Sequence, residues 1–524
     1  MTHALMVLLA ASFVATGMLF IPRLGIEVDE AIVAGGIYAH GSPWYSWHIG
    51  QDELPIMLLS YLGALKTWMY NLLFLVVTPR PMSLRLPTLL LAAGSLWLFF
   101  ALLDKTVNRS VAWIGAVLLA TDTSYLMMNA VDYGPVTLQF VFKLAALVLL
   151  VRFHQSGRQW DLAAAFFLLG LAMWDKAVFA WVLFGLAAGA AAVFPREILR
   201  HLTFVNLRTA ALAMLTGALP LLIYNIDRPL ETLRSTAKVE QLAILGKSVI
   251  LTRALDGYVF FGFVTALDPG PQPGAPGRWY QALSMAISQG LGSPHHSLTL
   301  WASAAAVFSL ALLWRTSARK PILFGLVTCF ATWLPMVLTA GAGAAAQHVI
   351  LLWPFHLLAI AAAVDRIPLR AAVVGITALL CASSLAVTNQ YYVELIRNGP
   401  TMRWTDAMDP LHRYLTDLCS TDHSVRHIYV ADWGIIETMN LLSQGALPAS
   451  PADLSGDEGI RVMLRDQASV FVAHAAGQAI HPNERGALEA VAQREQYMQE
   501  NITTILDRNG RPAFDVFRFR KIHL

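Results

Sequence analysis

The sequence predicts an α-helical polytopic membrane protein with about eleven transmembrane helices and a small C-terminal α/β extracytoplasmic domain. Three observations carry that prediction. Of 524 residues, 56% are hydrophobic and only 14% charged, against about 25% charged in a soluble domain; mean hydropathy is +0.54. Apolar runs long enough to cross about 30 Å of hydrocarbon as helix recur as far as residue 388. Alternate loops between these runs are basic, as the inner side of a membrane protein requires.

The runs lie near residues 4–22, 84–103, 110–128, 136–152, 160–175, 177–194, 208–225, 298–314, 321–340, 348–364 and 370–388. The first lacks a basic flank and a small-residue cleavage pattern, so it reads as a retained helix rather than a signal peptide. With the N-terminus cytoplasmic, the short inner loops hold Lys105 and Arg109, Arg152 and Arg158, Arg196, Arg200 and Arg208, Arg315, Arg319 and Lys320, and Arg366 and Arg370. A missed span would throw the later loops out of phase, and they stay in phase.

Three segments then face outward. In the first, residues 23–84, the apolar stretch Leu54 to Val77 is broken by Lys66 and reads as helices lying in the interface. The second, residues 225–297, opens with a charged helical stretch from Glu231 to Lys247 and includes the turn-rich run from Asp268 to Gly277. Residues 1–389 make the expected membrane module, and residues 390–524 the outer domain. In that domain Arg426 to Asp432 and Ala468 to His474 read as buried strands before helices, and Asp507-Arg-Asn-Gly510 as a hairpin turn.

Composition narrows function. A net charge of +3 without a basic block gives no footprint for nucleic acid. Cys329, Cys381 and Cys419 are scattered and suggest neither a disulfide framework nor a metal cluster. The pair His295-His296 lacks partners at metal-ligand spacing. No Walker loop, dinucleotide glycine motif or zincin signature is present.

The candidate site residues gather at the outer ends of helices. Glu27-Val-Asp29-Glu30 follows the first span, where a carboxylate at the membrane surface could take a proton from an acceptor hydroxyl; a solvated loop start is the plain alternative. Asp132 enters the fourth span at the same depth, with Asp122 nearby, so the topology predicts carboxylates converging in one cavity. The plain alternative for Asp132 is a helix or turn cap. Asp175-Lys176 interrupts an apolar stretch and is either a tight outer turn or a place for Lys176 beside a phosphate. A phosphate leaving group needs cations or donors. Candidates are Arg234, Lys238, Lys247 and Arg253 in the second outer segment, and Gln347-His348 at the tenth span.

These residues resemble the GT-C glycosyltransferase superfamily, within it the protein O-mannosyltransferase and lipid A aminoarabinose transferase branch. The likeness runs over about residues 1–360. Beyond the early Asp29-Glu30 pair it lies in Gly63-Ala-Leu-Lys66, Arg85-Leu-Pro87, Leu119-Ala-Thr-Asp122, Asp132-Tyr133-Gly-Pro-Val136 with Gln139, Gly170-Leu-Ala-Met-Trp-Asp-Lys176, and Gln347-His348-Val-Ile-Leu-Leu-Trp-Pro354. The resemblance implies Asp29 as catalytic base, Glu30 positioning the acceptor or an ion, and Asp132 as second acid. It implies a sugar donor on polyprenyl phosphate, a single inverting displacement, and a glycan, lipid or protein acceptor. It leaves room for a divalent cation while requiring none. The expected place is a bacterial inner membrane, with site and tail on the periplasmic side. Two departures stand out. Asp52-Glu-Leu-Pro55 replaces a Lys-Pro pair, and Trp174-Asp-Lys-Ala177 replaces Thr-Lys-Gly-Pro while keeping the lysine.

The competing readings are a transporter or flippase of a lipid-linked intermediate and a membrane scaffold for the tail. Transporters place ionisable groups at mid-membrane in inverted repeats, and neither feature is found in the sequence.

Overall fold

The computed structural model describes residues 2–38, 43–50, 52–236, 244–479 and 482–522. In chain order the helices are α1 (Thr2–Met18), α2 (Val28–Gly35), α3 (Leu65–Phe74), α4 (Pro81–Thr106), α5 (Arg109–Thr121), α6 (Thr123–Ala130), α7 (Val136–Ser156), α8 (Gln159–Asp175), α9 (Phe179–Val193), α10 (Pro195–His201), α11 (Phe204–Gly217) and α12 (Leu219–Asp227). They continue as α13 (Glu231–Thr236), α14 (Ile244–Leu255), α15 (Trp279–Gly290), α16 (Thr299–Leu312), α17 (Arg319–Leu338), α18 (Ala346–Val349), α19 (Phe355–Val364), α20 (Arg370–Arg397), α21 (Met408–Thr421), α22 (Ile436–Ser443), α23 (Asp457–Arg465) and α24 (Pro482–Arg494).

Each of the eleven predicted runs coincides with a helix or with a bent pair of helices. Among the described residues five helices are long and apolar enough to cross a membrane, and four bent pairs raise the number to nine. The remaining two, α8 and α16, have 17 and 14 residues. Breaks have local causes: α5 and α6 meet at 54° around Asp122, whose side chain caps α6 by accepting from the Tyr125 amide at 2.8 Å. Close helix packing uses small residues. Gly185 and Gly189 of α9 lie so near α17 that a Cβ would stand 1.9 Å from Thr332 and 2.2 Å from Thr328. Leu8, Phe184, Leu212, Phe308 and Phe330 are exposed, the face that lipid solvates.

Part of the first outer segment differs from expectation. Residues 54–62 do not form an interfacial helix. Strands β1 (Tyr45–Ile49), β2 (Asp52–Leu59) and β3 (Leu62–Gly63) make a small antiparallel sheet, and only α3 is helical in the rest of the stretch. A short apolar run satisfies either period, and pairing of Leu59 with Leu62 decided it. The charged stretch from Glu231 is helical to Thr236 and again from Ile244.

The tail adds β4 (His427–Val430), β5 (Ala449–Pro451), β6 (Ser469–His474), β7 (Tyr497–Leu506) and β8 (Pro512–Lys521) in sheet order β5-β4-β6-β8-β7. The first three run parallel, and β7 and β8 form the hairpin whose turn holds Gly510 at φ +74°. Two small cores, one around Ile428, Val470 and Phe514, the other around Phe471, Leu488 and Phe517, hold this unit. It sits on the bundle through α22 against α2.

Candidate active site

The acids after α1 occupy three different environments. Glu27 caps α2, its Oε2 accepting the Asp29 amide at 2.6 Å, and Glu30 reaches back to accept the Glu27 amide at 3.0 Å. Glu30 is fully buried. It receives Arg85 Nε at 2.8 Å and Nη2 at 2.7 Å, and the Asp132 amide at 2.7 Å. Arg85 in turn donates to the carbonyls of Ile21, Leu24 and Gly25. Glu30 therefore ties α2, α4 and the α6–α7 turn together, and the expectation that it meets an acceptor or an ion is corrected: its oxygens are taken.

Asp132 is also enclosed. Lys66 Nζ and the Tyr70 hydroxyl bind its two oxygens, and Lys66 donates further to the Gly134 carbonyl at 2.6 Å. Asp132 shares the rim with Asp29 but not its environment, so two open carboxylates do not meet in one cavity. A buried acid without partners costs far more than one matched by a lysine and a phenol. The packing of α3 against the turn supplies that match.

Asp29 is the accessible acid, its side chain about one-third exposed at 36%. The Tyr133 hydroxyl hydrogen-bonds toward it, and Tyr61, Lys176 and Glu437 lie within electrostatic reach. Arg403, from the turn after α20, donates to Glu27 and places Nη2 3.7 Å from Asp29 Oδ2. Its guanidinium lies 5.4 Å from the rings of Phe263 and Trp433. Burial first, then the charge of Asp29, pushes the Glu27 carboxyl up to about 8, with Arg403 opposing. Burial with a contribution from Asp29 also raises Glu437, a residue of the C-terminal domain whose Oε2 is buried without a partner among the described residues.

Lys176 stands in the turn after α8. Its backbone bridges Leu62, and the Ala177 amide donates to the Tyr61 carbonyl at 3.0 Å. Gly63 permits this approach, since a Cβ there would lie 2.2 Å from the Trp174 carbonyl oxygen. Among the described residues Nζ makes no hydrogen bond or ion pair. Burial pulls the ammonium down to about 8, against the attraction of Asp29 and Asp175. His348 faces both Lys176 and Lys247, and its buried Nδ1 has no partner. Lys247 Nζ donates to the Thr339 carbonyl at 2.7 Å. Lys176, His348 and Lys247 are thus neighbours, and Lys176 is the one of the three within electrostatic reach of Asp29 among the described residues.

Other candidates fall elsewhere. Asp122 is buried in the bundle as the α6 cap and accepts Trp353 Nε1 at 2.9 Å, so its part is structural, not substrate contact. Gln139 is buried in α7 with both amide atoms unpartnered. Gln347 is half-buried beside His348. Arg234 is exposed, and exposed Arg253 stacks 5.2 Å from the Tyr258 ring. Lys238 lies outside the described residues. No group of three or more His, Cys, Asp or Glu arranged for a metal occurs among the described residues, and the Asp29-Glu30 pair is an unsuitable cation site because Arg85 occupies Glu30. Arg403, Trp433 and Glu437 escaped the sequence reading; only a basic residue just past the last outer helix end hinted at the first.

Residues 64–224 match the family model of dolichyl-phosphate-mannose-protein mannosyltransferases. No curated protein sequence matches the chain. Among solved structures, ArnT from Cupriavidus metallidurans bound to undecaprenyl phosphate superposes with a TM-score of 0.59 at 11% identity, covering 98% of each chain. Its apo form gives 0.58 at 12% identity, again over 98% of each. The Archaeoglobus fulgidus oligosaccharyltransferase AglB, in complex with an inhibitory peptide and a dolichol-phosphate, gives 0.50 at 10% identity, over all of this chain and 75% of that one. The chain is a multi-pass membrane protein with the GT-C fold, and it resembles the mannosyltransferase and aminoarabinose transferase branch of that superfamily.

Proposed function

We propose that this protein is a glycosyltransferase that moves a sugar from a polyprenyl-phosphate carrier to an acceptor hydroxyl or amine at the extracytoplasmic rim of a bacterial inner membrane. The single observation that carries the reading is the open carboxylate of Asp29 within electrostatic reach of Lys176, whose ammonium has no hydrogen bond or ion pair among the described residues. Asp29 takes the acceptor proton as the acceptor atom bonds to the anomeric carbon. The anomeric C–O bond breaks with its electron pair going to the phosphate oxygen, from the opposite face, so the configuration inverts. Lys176, His348 and Lys247 meet the charge on the departing phosphate. Tyr133 and Arg403 hold Asp29 in place, and Asp132, as the buried partner of Lys66, fixes the turn that carries Tyr133. The donor class is supported by the polyprenyl phosphate and dolichol-phosphate bound in the two structural relatives.

The test uses the full chain in detergent with synthetic polyprenyl-phosphate hexoses and pentoses and a cell-envelope acceptor extract, following release of polyprenyl phosphate. Asp29→Asn should lower the rate by about 10²–10⁴-fold with unchanged melting. A folded variant that keeps its rate removes Asp29 as the base.

A further inference from the structure

At the end of the bundle opposite Asp29, α5 and α20 part to leave a groove of about 590 Å³. The end is fixed by two contacts: Arg109 donates to Thr2 at the start of α1, and Asn108 donates to Asp365 at 3.0 Å, just before α20. Trp113, Val117 and Val373 form its apolar walls, Thr377 and Cys381 lie toward its inner end, and Arg109 and Arg370 stand at its mouth. By helix rise, Arg109 to Val117 and Arg370 to Cys381 span roughly 12–17 Å, about one leaflet of a hydrocarbon core of about 30 Å.

That combination selects an occupant. A channel one leaflet deep and apolar along its length suits an acyl chain, while two guanidiniums, both exposed, suit a phosphate, which arginine binds in bidentate fashion. The nearby acid Asp365 accepts from Asn108 and does not span the mouth as an ion pair with either arginine. A neutral lipid would gain only the apolar contact, and basic side chains at a membrane surface attract anionic headgroups. We propose that this groove binds an anionic phospholipid of the leaflet distant from the catalytic rim, with the phosphate between Arg109 and Arg370 and one acyl chain between α5 and α20. The inference stands apart from the transferase reading.

Native mass spectrometry of the full chain, exchanged into equimolar phosphatidylglycerol and phosphatidylcholine, tests it. The expected result is retention of phosphatidylglycerol at least tenfold over phosphatidylcholine. The double variant R109Q/R370Q should lose that preference, and Ala378→Trp, which fills the groove, should lower retention of both lipids. The arginines are exposed, so the double variant tests the headgroup contact even where the tryptophan variant fails to fold. Equal retention of both lipids by the unaltered protein, an unchanged preference in the double variant, or displacement of phosphatidylglycerol by added undecaprenyl phosphate would overturn the proposal.

Discussion

Arg403 bridges Glu27 and Asp29, donating to the first while its Nη2 lies 3.7 Å from the second. One guanidinium from beyond the last bundle helix therefore orients the cap of α2 and the acid next to it. The stack of Arg403 on Phe263 and Trp433 fixes its plane, so both halves of the chain determine where Asp29 points.

The first prediction concerns Glu27. Its carboxyl is raised to about 8 from an ordinary 4.5, burial being the largest cause. The folded state then binds the proton more tightly than the unfolded chain, so the contribution to stability is full below about pH 4.5 and fades as pH rises through 8. Melting temperature should fall across that window, and Glu27→Gln should flatten the fall. Thermal unfolding followed by tryptophan fluorescence between pH 4 and 9 measures it; a variant with the same slope as the parent would remove Glu27 as its source.

Glu30 and Arg85 form a pair with no exposure on either side chain. Removing one member leaves the other charged and unmatched at a cost of about 3–5 kcal/mol. Arg85→Met and Glu30→Gln should each lower the melting temperature markedly, while the double variant should recover part of the loss. A double variant as unstable as the sum of the two singles would contradict direct coupling.

How far the sequence carried the structure follows from the range of each interaction. The helices were legible because lipid solvation imposes a length and a polarity on each span, and the tail strands and hairpin because their periods and turn residues are local. Strands β2 and β3 were not legible, since a short apolar run fits either element until a neighbour pairs with it. Within the site, Asp29 and Lys176 were visible as charges where apolar runs end. The enclosure of Glu30 and Asp132 was not, because Arg85, Lys66 and Tyr70 reach them across 55, 66 and 62 residues. Arg403 lies 376 residues from Glu27, a pairing that no periodicity encodes.

Lys176 provides a third prediction. A hydrogen bond to a charged group contributes about 1.5–3 kcal/mol, so Lys176→Met should weaken binding of polyprenyl phosphate by roughly 10–100-fold. Because its ammonium is pulled down to about 8, donor binding should weaken as pH rises through 8, where the charge is lost. Lys176→Arg, which stays charged, should abolish that alkaline loss. Equilibrium binding of labelled polyprenyl phosphate from pH 6 to 10 gives both results, and unaltered binding in the methionine variant would place the phosphate elsewhere.

The C-terminal domain enters the site through the loop after β4. His474 Nδ1 and the Trp433 amide, each at 2.8 Å, hold the two Asp432 oxygens, and the next residues bring Trp433 over Arg403 and Glu437 toward Asp29. If this loop shapes the acceptor side of the rim, Trp433→Ala should raise the KM for acceptor about tenfold, a loss of about 1.4 kcal/mol, and leave the binding of polyprenyl phosphate intact. Glu437→Gln should act in the same direction, since it removes a carboxylate that the C-terminal domain presents to Asp29. Asp432→Asn should reproduce the tryptophan effect by releasing the loop. Steady-state kinetics with donor and acceptor varied separately distinguish this from general loosening: an equal loss for both substrates, with lower melting temperature, would mean that the domain merely braces the bundle.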